Sequence, residues 1–270
     1  MSKPGFDFTF AHVVELSHPI HEGIPCWPGD PRVEFAVVAS FAREGYRLRR
    51  FSLGEHTATH LHAPAAFHPE GATIDTYPAS SLVVPAVVVD VRPRAAAEPD
   101  YAVTLGDLEA WESSHGQFPA GVVVLLLTGW QDRWDDPPAF LNQDAAGRLH
   151  FPGFGLEAAR WLLTERRVAG LGTDAPGIDP GLDTAFSVNR LVLEKPRIVL
   201  ENLTNLDRIP ATGATLIIGI LRLVGGSGSP ACVFAVFDKG GFLRCPLRWR
   251  KFASKRSPIS SKRNATSCRG

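Results

Sequence analysis

The stretch from Glu55 to His68, "EHTATHLHAPAAFH", holds four of the nine histidines of the chain. His56, His60 and His62 are interleaved with Thr57, Thr59 and Leu61, and Pro64 closes the run. That composition favours an extended segment over a helix, and even spacings in an extended segment set the three imidazoles on one face. Neutral imidazoles converging from one face suit a divalent cation such as zinc, iron, nickel or copper, and leave positions open for water. A cation acidifies that water into a nucleophile near neutral pH, which is hydrolase chemistry. His68, past the proline, stands either in the pocket or facing solvent.

Further ligands must be carboxylates or amides, because no histidine follows His150. Ligand sites in open α/β sheets lie outside the carboxyl ends of strands, which singles out Asp90, Asp174 and Glu201, each at the end of an apolar run. Glu201 is favoured, since it follows "RIVL" and leads into "NLTNLD". Asp174, in "GTDAPGIDP", has three readings: a ligand or catalytic group, a carboxylate that orients a histidine, or an acceptor for backbone amides in a turn. "VGGSGSPA" lacks the G-x-x-x-x-G-K-[ST] pattern of a phosphate loop and reads as a turn between strands, with amides placed to help hold an oxyanion.

The elements that must position these groups are visible as hydrophobic patterns. Short runs rich in Val, Ile and Leu predict buried strands at 83–91, 121–128, 168–174, 197–201, 215–224 and 231–237. Between them, "TLGDLEAWESSHG" reads as a helix capped by Thr104 and Asp107, and "GLEAARWLLTERR" as a helix with Leu156, Ala159, Leu162 and Leu163 on its apolar face. The order predicts an α/β single domain with a mixed sheet over residues 1–252. The connection 129–155 is long enough for a lid or binding loop, and its Trp130, Trp134, Phe140, Phe151 and Phe154 either wall a pocket or pin the loop to the body.

Composition narrows the function classes. Lys+Arg and Asp+Glu balance at 28 each, and no basic stripe interleaves with aromatics, which argues against nucleic acid as a partner. No run approaches the ~18 apolar residues of a membrane span, and the first twenty residues lack a signal-peptide pattern. Cys26, Cys232, Cys245 and Cys268 form no C-x-x-C pair, so a reducing cytoplasm is expected. Residues 253–270, basic and without acids, are expected to be a disordered tail.

Together these residues resemble the cyclase and metal-dependent hydrolase family that includes bacterial kynurenine formamidase and isatin hydrolase. The resemblance runs from about Val14 to about Phe237, through "ELSHPIHEGIPCWPGDP", "GEHTATHLHAPAAFH", "FPGFGLEAARWLL", "GLGTDAPGIDP", "ENLTNLDRIPATGA" and "GGSGSP". It implies a swivelling β/β/α fold and a homo-oligomer. The family pattern H-x-G-T-H-x-D-x-P-x-H places metal-binding histidines at His56 and His60 and the proline at Pro64. This chain has Ala58 for the glycine, His62 for the metal-binding aspartate and Ala66 for the catalytic histidine. Glu201 matches a metal-binding glutamate, but Asn189 stands where the family has a metal-binding histidine.

A neutral imidazole does not bridge two ions as a carboxylate does, so the expectation is one divalent metal, Zn2+ or Mn2+, held by His56, His60, His62 and Glu201. With Ala66 in the catalytic place, His68 or Glu201 takes the proton-transfer role, with Asp174 a further catalytic candidate. Trp27, Trp130, Trp134 and Asn189 are the candidate substrate contacts. The expected activity is hydrolysis of a small cyclic or aromatic amide, lactam or lactone by metal-bound water. A cyclase or dehydratase that uses the metal as a Lewis acid, and a non-catalytic binding protein, are the alternatives.

Overall fold

Strand β7 (Val123–Leu127) is apolar at every position because both its faces are covered. Val123, Leu125 and Leu127 point into one core, while Val124 and Leu126 point into a second. The same two-sided burial governs β9 (Gly170–Thr173), β10 (Ile198–Glu201) and residues 86–89 of β5 (Val83–Asp90), which run parallel to β7 in the order β5, β7, β9, β10. The computed structural model that shows this describes residues 10–238. The expected tail, 253–270, and the domain limits at 1 and 252 lie outside the described residues.

The remaining strands close the sheet on itself. β1 (His12–Glu15), β4 (His60–His62), β11 (Ala214–Ile220) and β12 (Gly228–Phe237) all pair antiparallel. β11 joins β5 to β12, and β12 reaches across to β4, which returns to β10. β12 is long enough to serve two partners on one edge: residues 228–230 pair with β4 and residues 234–237 with β1. The ring is filled by an inner core, in which Leu61 of β4 meets Leu125, Leu200 and Val233.

Helices cover the parallel strands from outside. α2 (Arg92–Ala97) and α3 (Leu105–His115) connect β5 to β7. α4 (Pro137–Leu141) and α5 (Leu156–Thr164) lie between β7 and β9, and α6 (Ser187–Val192) between β9 and β10. Leu108 and Trp111 of α3, Leu162 of α5 and Val192 of α6 form the outer core with Val124 and Leu126. The capping box at α3 is present: Asp107 N–H donates to Thr104 Oγ1, and Thr104 N–H donates to Asp107 Oδ2. Short β6 (Ala102–Val103) and β8 (Gly153–Phe154) pair with each other at the periphery. β2 (Glu34–Ala39) and β3 (Leu48–Ser52) form a separate hairpin, with α1 (Phe41–Glu44) between them.

All six expected strands are present. The segment "VGGSGSPA" differs from a plain turn: only its start turns, and Gly228, Ser229 and Pro230 already pair with β4. The histidine stretch is likewise not one extended run. β4 begins at His60, whereas His56 sits in a turn and Ala58 has a left-handed backbone with φ 54°.

Candidate metal centre

β4 delivers His60 and His62 from one strand, and its neighbour β10 delivers Glu201, which is in register with His60. Their polar atoms form a tight triangle. His60 Nε2 lies 2.8 Å from His62 Nε2, His62 Nε2 lies 2.9 Å from Glu201 Oε2, and His60 Nε2 lies 3.4 Å from that oxygen. Ligand atoms about 2.0–2.2 Å from one ion lie about 2.8–3.1 Å apart at right angles and about 3.3–3.6 Å apart at tetrahedral angles, and the edges of this triangle fall within that span. His56, His60 and His62 each bring a ring nitrogen within 4.8 Å of the other two.

Proton accounting shows that protein atoms alone do not satisfy the triangle. His60 Nδ1 donates to Ala58 O at 2.8 Å, so a neutral His60 presents Nε2 as a lone pair. Glu201 Oε2 is an acceptor, so the only proton left is the one His62 Nε2 can carry, and it serves one neighbour. His62 Nδ1 and His56 Nδ1 are buried without a hydrogen-bond partner among the described residues. Two acceptors in contact with a third ring nitrogen, and an unpartnered His56 Nδ1 in the same cluster, fit a divalent cation, for which imidazole and carboxylate are natural donors.

The surroundings fix each ligand. Ala58 holds its left-handed conformation, at ~1–2 kcal/mol for a residue with a Cβ, and its carbonyl accepts from both His60 Nδ1 and Asn202 Nδ2. His56 Nε2 bonds Ser227 Oγ at 2.9 Å, and Ser227 Oγ donates to Glu55 Oε2 at 2.6 Å. Such an outer carboxylate fixes the imidazole tautomer and leaves the other nitrogen for a ligand. Glu201 Oε1 accepts from the Ile178 N–H and from Asn189 Nδ2, each at 3.0 Å, so Oε2 alone faces the histidines.

The electrostatics favour a neutral His56 and an ionised Glu201. Burial, reinforced by His62 and His60, pulls His56 down to about 2. Burial pushes Glu201 upward, but the charges and hydrogen bonds of His62 and His60 outweigh it and hold the carboxyl well below its usual value.

The cluster lies at the floor of a cavity of about 1040 Å³. Trp27, Phe67, Phe140, Phe151 and Phe186 give it an apolar wall. Trp27 and Asn189 line it, as the sequence suggested, but Trp130 and Trp134 do not. Trp130 is buried with Nε1–H donating to Phe140 O, and Trp134 stacks on His18 at 3.9 Å. These tryptophans pin the loop 129–155, and Phe140 and Phe151 of that loop face the cavity instead.

His68 is also displaced from its expected place. It lies outside the cavity lining, and its Nε2 bonds the Arg190 carbonyl at 2.9 Å. Asp174 takes the amide-binding reading: it accepts from the N–H groups of Thr128 and Gly129 and from Thr128 Oγ1, and it does not line the cavity. Burial pushes its carboxyl up to about 6 against those bonds. Asp90 pairs with Arg92 on the surface.

The carboxylate of "GTDAPGIDP" that does line the cavity is Asp179, which sequence reasoning passed over. It accepts from the Val188 N–H and from Asn189 N and Nδ2, and burial pushes it up to about 7. The only available signal was its second place in that motif. Glu55 and Ser227 were missed because they lie 172 positions apart and meet only when β12 reaches β4.

Comparison with known proteins places this geometry. Residues 14–180 match the family model described as "Putative cyclase". The chain is 34% identical over 220 residues to isatin hydrolase of Roseibium aggregatum, covering 77% of this chain and 82% of that protein. It is 27% identical over 221 residues to kynurenine formamidase of Salinibacter ruber, covering 81% and 94%. Its structure superposes on isatin hydrolase A from Ralstonia solanacearum with a TM-score of 0.80 at 33% identity, over 84% of this chain and 92% of that one.

Proposed function

The chain belongs to the cyclase family, and we propose that it is a metal-dependent hydrolase that opens the C–N bond of a small cyclic or aromatic amide. The observation that carries this reading is the His60, His62 and Glu201 triangle, whose donor types and 2.8–3.4 Å edges suit one cation. His56, His60, His62 and Glu201 Oε2 would hold it. When bound, a divalent cation there polarises a carbonyl and makes hydroxide available near neutral pH. With His62 in place of a bridging aspartate, the donor set suits one ion, and zinc or manganese is the choice we favour.

The chain's own groups do the remaining work. The aromatic wall excludes water and stacks a planar substrate over the polar floor. Ile178 N–H and Asn189 Nδ2 hold Glu201 Oε1, so that Oε2 stays directed at the histidines. Proton transfer to the departing nitrogen needs a group near neutrality. Asp179, in the cavity wall and raised to about 7, is assigned that role in place of the missing histidine at Ala66.

Metal content and product analysis test the reading together. Purified protein should retain about one zinc or manganese per chain, and His60→Ala or Glu201→Gln should lower metal affinity at least ~10-fold. Turnover in heavy-oxygen water should place label in a new carboxyl group. A product without label would favour a cyclase or dehydratase, and a protein with no affinity for either metal would sink both enzymatic readings.

We also infer a homo-oligomer built on the β2–β3 hairpin, where Val37, Phe41 and Phe51 are exposed on an arm that pairs with no other strand among the described residues. Val37→Lys with Phe51→Lys should convert the species seen in sedimentation to monomer. Cys26 and Cys232, both free among the described residues, fit a cytoplasmic setting. No helix among the described residues is long and apolar enough to cross a membrane.

A further inference from the structure

Alternation along β1, β12, β11 and the start of β5 turns Val14, Val233, Ala235, Leu216, Ile218 and Val84 into the barrel and the residues between them outward. Register sets Glu15, Phe234, Ile217 and Val83 side by side on the outer face, with Val13 and Cys232 in the adjoining rows. Val13, Phe234, Ile217 and Val83 belong to no hydrophobic core among the described residues. Val13 is 53% exposed, Val83 50% and Ile217 37%, so the row stands open. Val236, on the same face, is buried beside the point where the chain leaves β12. Contiguous apolar surface of this kind marks a place where something docks.

The chain itself continues from that point. Residues 239–270 hold ten Lys and Arg and no Asp or Glu, which leaves 18 basic residues against 28 acidic ones in 1–238. Opposite net charge holds such an extension close to the body from which it grows. Just past β12, "FLRCPLRWR" alternates: in an extended chain Leu243, Cys245, Leu247 and Trp249 share one side, and Arg244, Arg248 and Arg250 the other. Gly240 and Gly241 before it permit a reversal of direction.

A returning segment has few places to go. Residues 234–236 of β12 already pair with β1 on one edge and β11 on the other, so no ladder is open to it there. The inner face is filled by the core. The outer face remains, ~14 Å across from β1 to β5 at ~4.8 Å per strand, and seven extended residues reach ~20 Å. We propose that residues 243–249 lie across the outer face of β1, β12, β11 and β5, with Leu243, Cys245, Leu247 and Trp249 set against Phe234, Ile217 and Val83. Glu15, exposed at the β1 end of the row, offers the arginines a carboxylate.

Cys232 and Cys245 make the test possible in the full-length protein, because one stands on the face and the other in the segment. Cys232 alkylation by a maleimide, followed by peptide mass spectrometry, should be at least ~10-fold slower in the unaltered protein than in the Leu247→Asp, Trp249→Asp double variant. A bis-maleimide spanning about 10 Å, the usual separation of packed β layers, should link Cys232 to Cys245 within one chain. Unchanged far-ultraviolet circular dichroism in the double variant shows that the barrel is intact. Equal alkylation rates in the two proteins overturn the proposal. Cross-links that join two chains give the face to a second copy, and the proposal fails. Protection of Cys232 that appears only with added RNA or anionic vesicles assigns the segment to a polyanion and also overturns it. Ile217→Asp, made from the face side, should speed alkylation as the segment variant does, and the segment variant decides the matter alone if Ile217→Asp does not fold.

Discussion

Gly228→Ala isolates the seating of His56. A Cβ at Gly228 would lie 2.5 Å from His56 Cε1, 2.8 Å from His56 Nδ1 and 2.9 Å from the Leu61 carbonyl oxygen. Carbon contacts settle near 3.5–4.0 Å, so the ring must retreat by about 1 Å. The Leu61 carbonyl cannot move far, because β4 is paired with β12 at Leu61 and Ser229. The displaced ring leaves Ser227 Oγ, now 2.9 Å from Nε2, and loses the outer bond that sets its tautomer. Loss of such an outer bond lowers metal affinity ~10- to 100-fold, about 1.4–2.7 kcal/mol. The added methyl should also cost about 1–3 kcal/mol of stability through overpacking. Zinc affinity is read by competition with a chromophoric chelator, and stability by urea unfolding of the metal-free protein. Gly219→Ala is the control, since its Cβ meets Cys232 at 3.5–3.8 Å, in ordinary contact. A folded Gly228→Ala protein whose zinc affinity is within twofold of the original would refute the placement of His56 among the ligands.

Asp174→Ala strands the Thr128 and Gly129 amides and the Thr128 hydroxyl, so urea unfolding should show a loss of about 3 kcal/mol. Its metal affinity should stay within threefold, and a larger change would return Asp174 to the site. His68→Ala should keep kcat/KM within threefold, because its ring reaches Arg190 O rather than the cavity; a 100-fold fall would contradict that position. His150 bonds Asp100 at 2.7 Å and Asp144 at 3.3 Å, and those bonds raise its pKa. A raised folded pKa makes its contribution complete below about 6.5 and lost as pH rises through the folded value. Amide exchange of residues 142–150, corrected for intrinsic rate, should therefore show less protection at pH 8 than at pH 6, and His150→Asn should flatten the trend.

The apolar runs of β7, β9, β10 and the inner half of β5 were legible in sequence because two-sided burial leaves no polar alternation to misread. The same feature hid the closure of the ring: a run buried on both faces looks alike in an open sheet and in a barrel. β4 was harder still, as its three residues, His60–His62, carry little strand pattern of their own. His56, His60 and His62 stood out as candidates by residue type and spacing, and Glu201 by its place after an apolar run, and the structure brings the four together. The roles given to Trp130, Trp134 and His68 did not follow, because type alone does not say which way a side chain points. Trp130 turns inward to Phe140 O, and the cavity wall falls to Phe140 itself. Asp174 and Asp179 are five residues apart in one motif, and only the path of the loop decides which one faces the cavity.

β4 is hydrogen-bonded to β10 on one edge and to β12 on the other, and it completes the closed ring. Its amides therefore have no local route to solvent: freeing His60 or His62 means opening the barrel. Hydrogen exchange at Leu61 and His62 should report the global unfolding free energy rather than a local fluctuation. An ion held by His60 and His62 would then enter and leave through the cavity mouth, between side chains whose strand is already in place before it arrives. Release of such an ion would not wait on breathing of β4, and the turn that carries His56 would be the one mobile part of the cage.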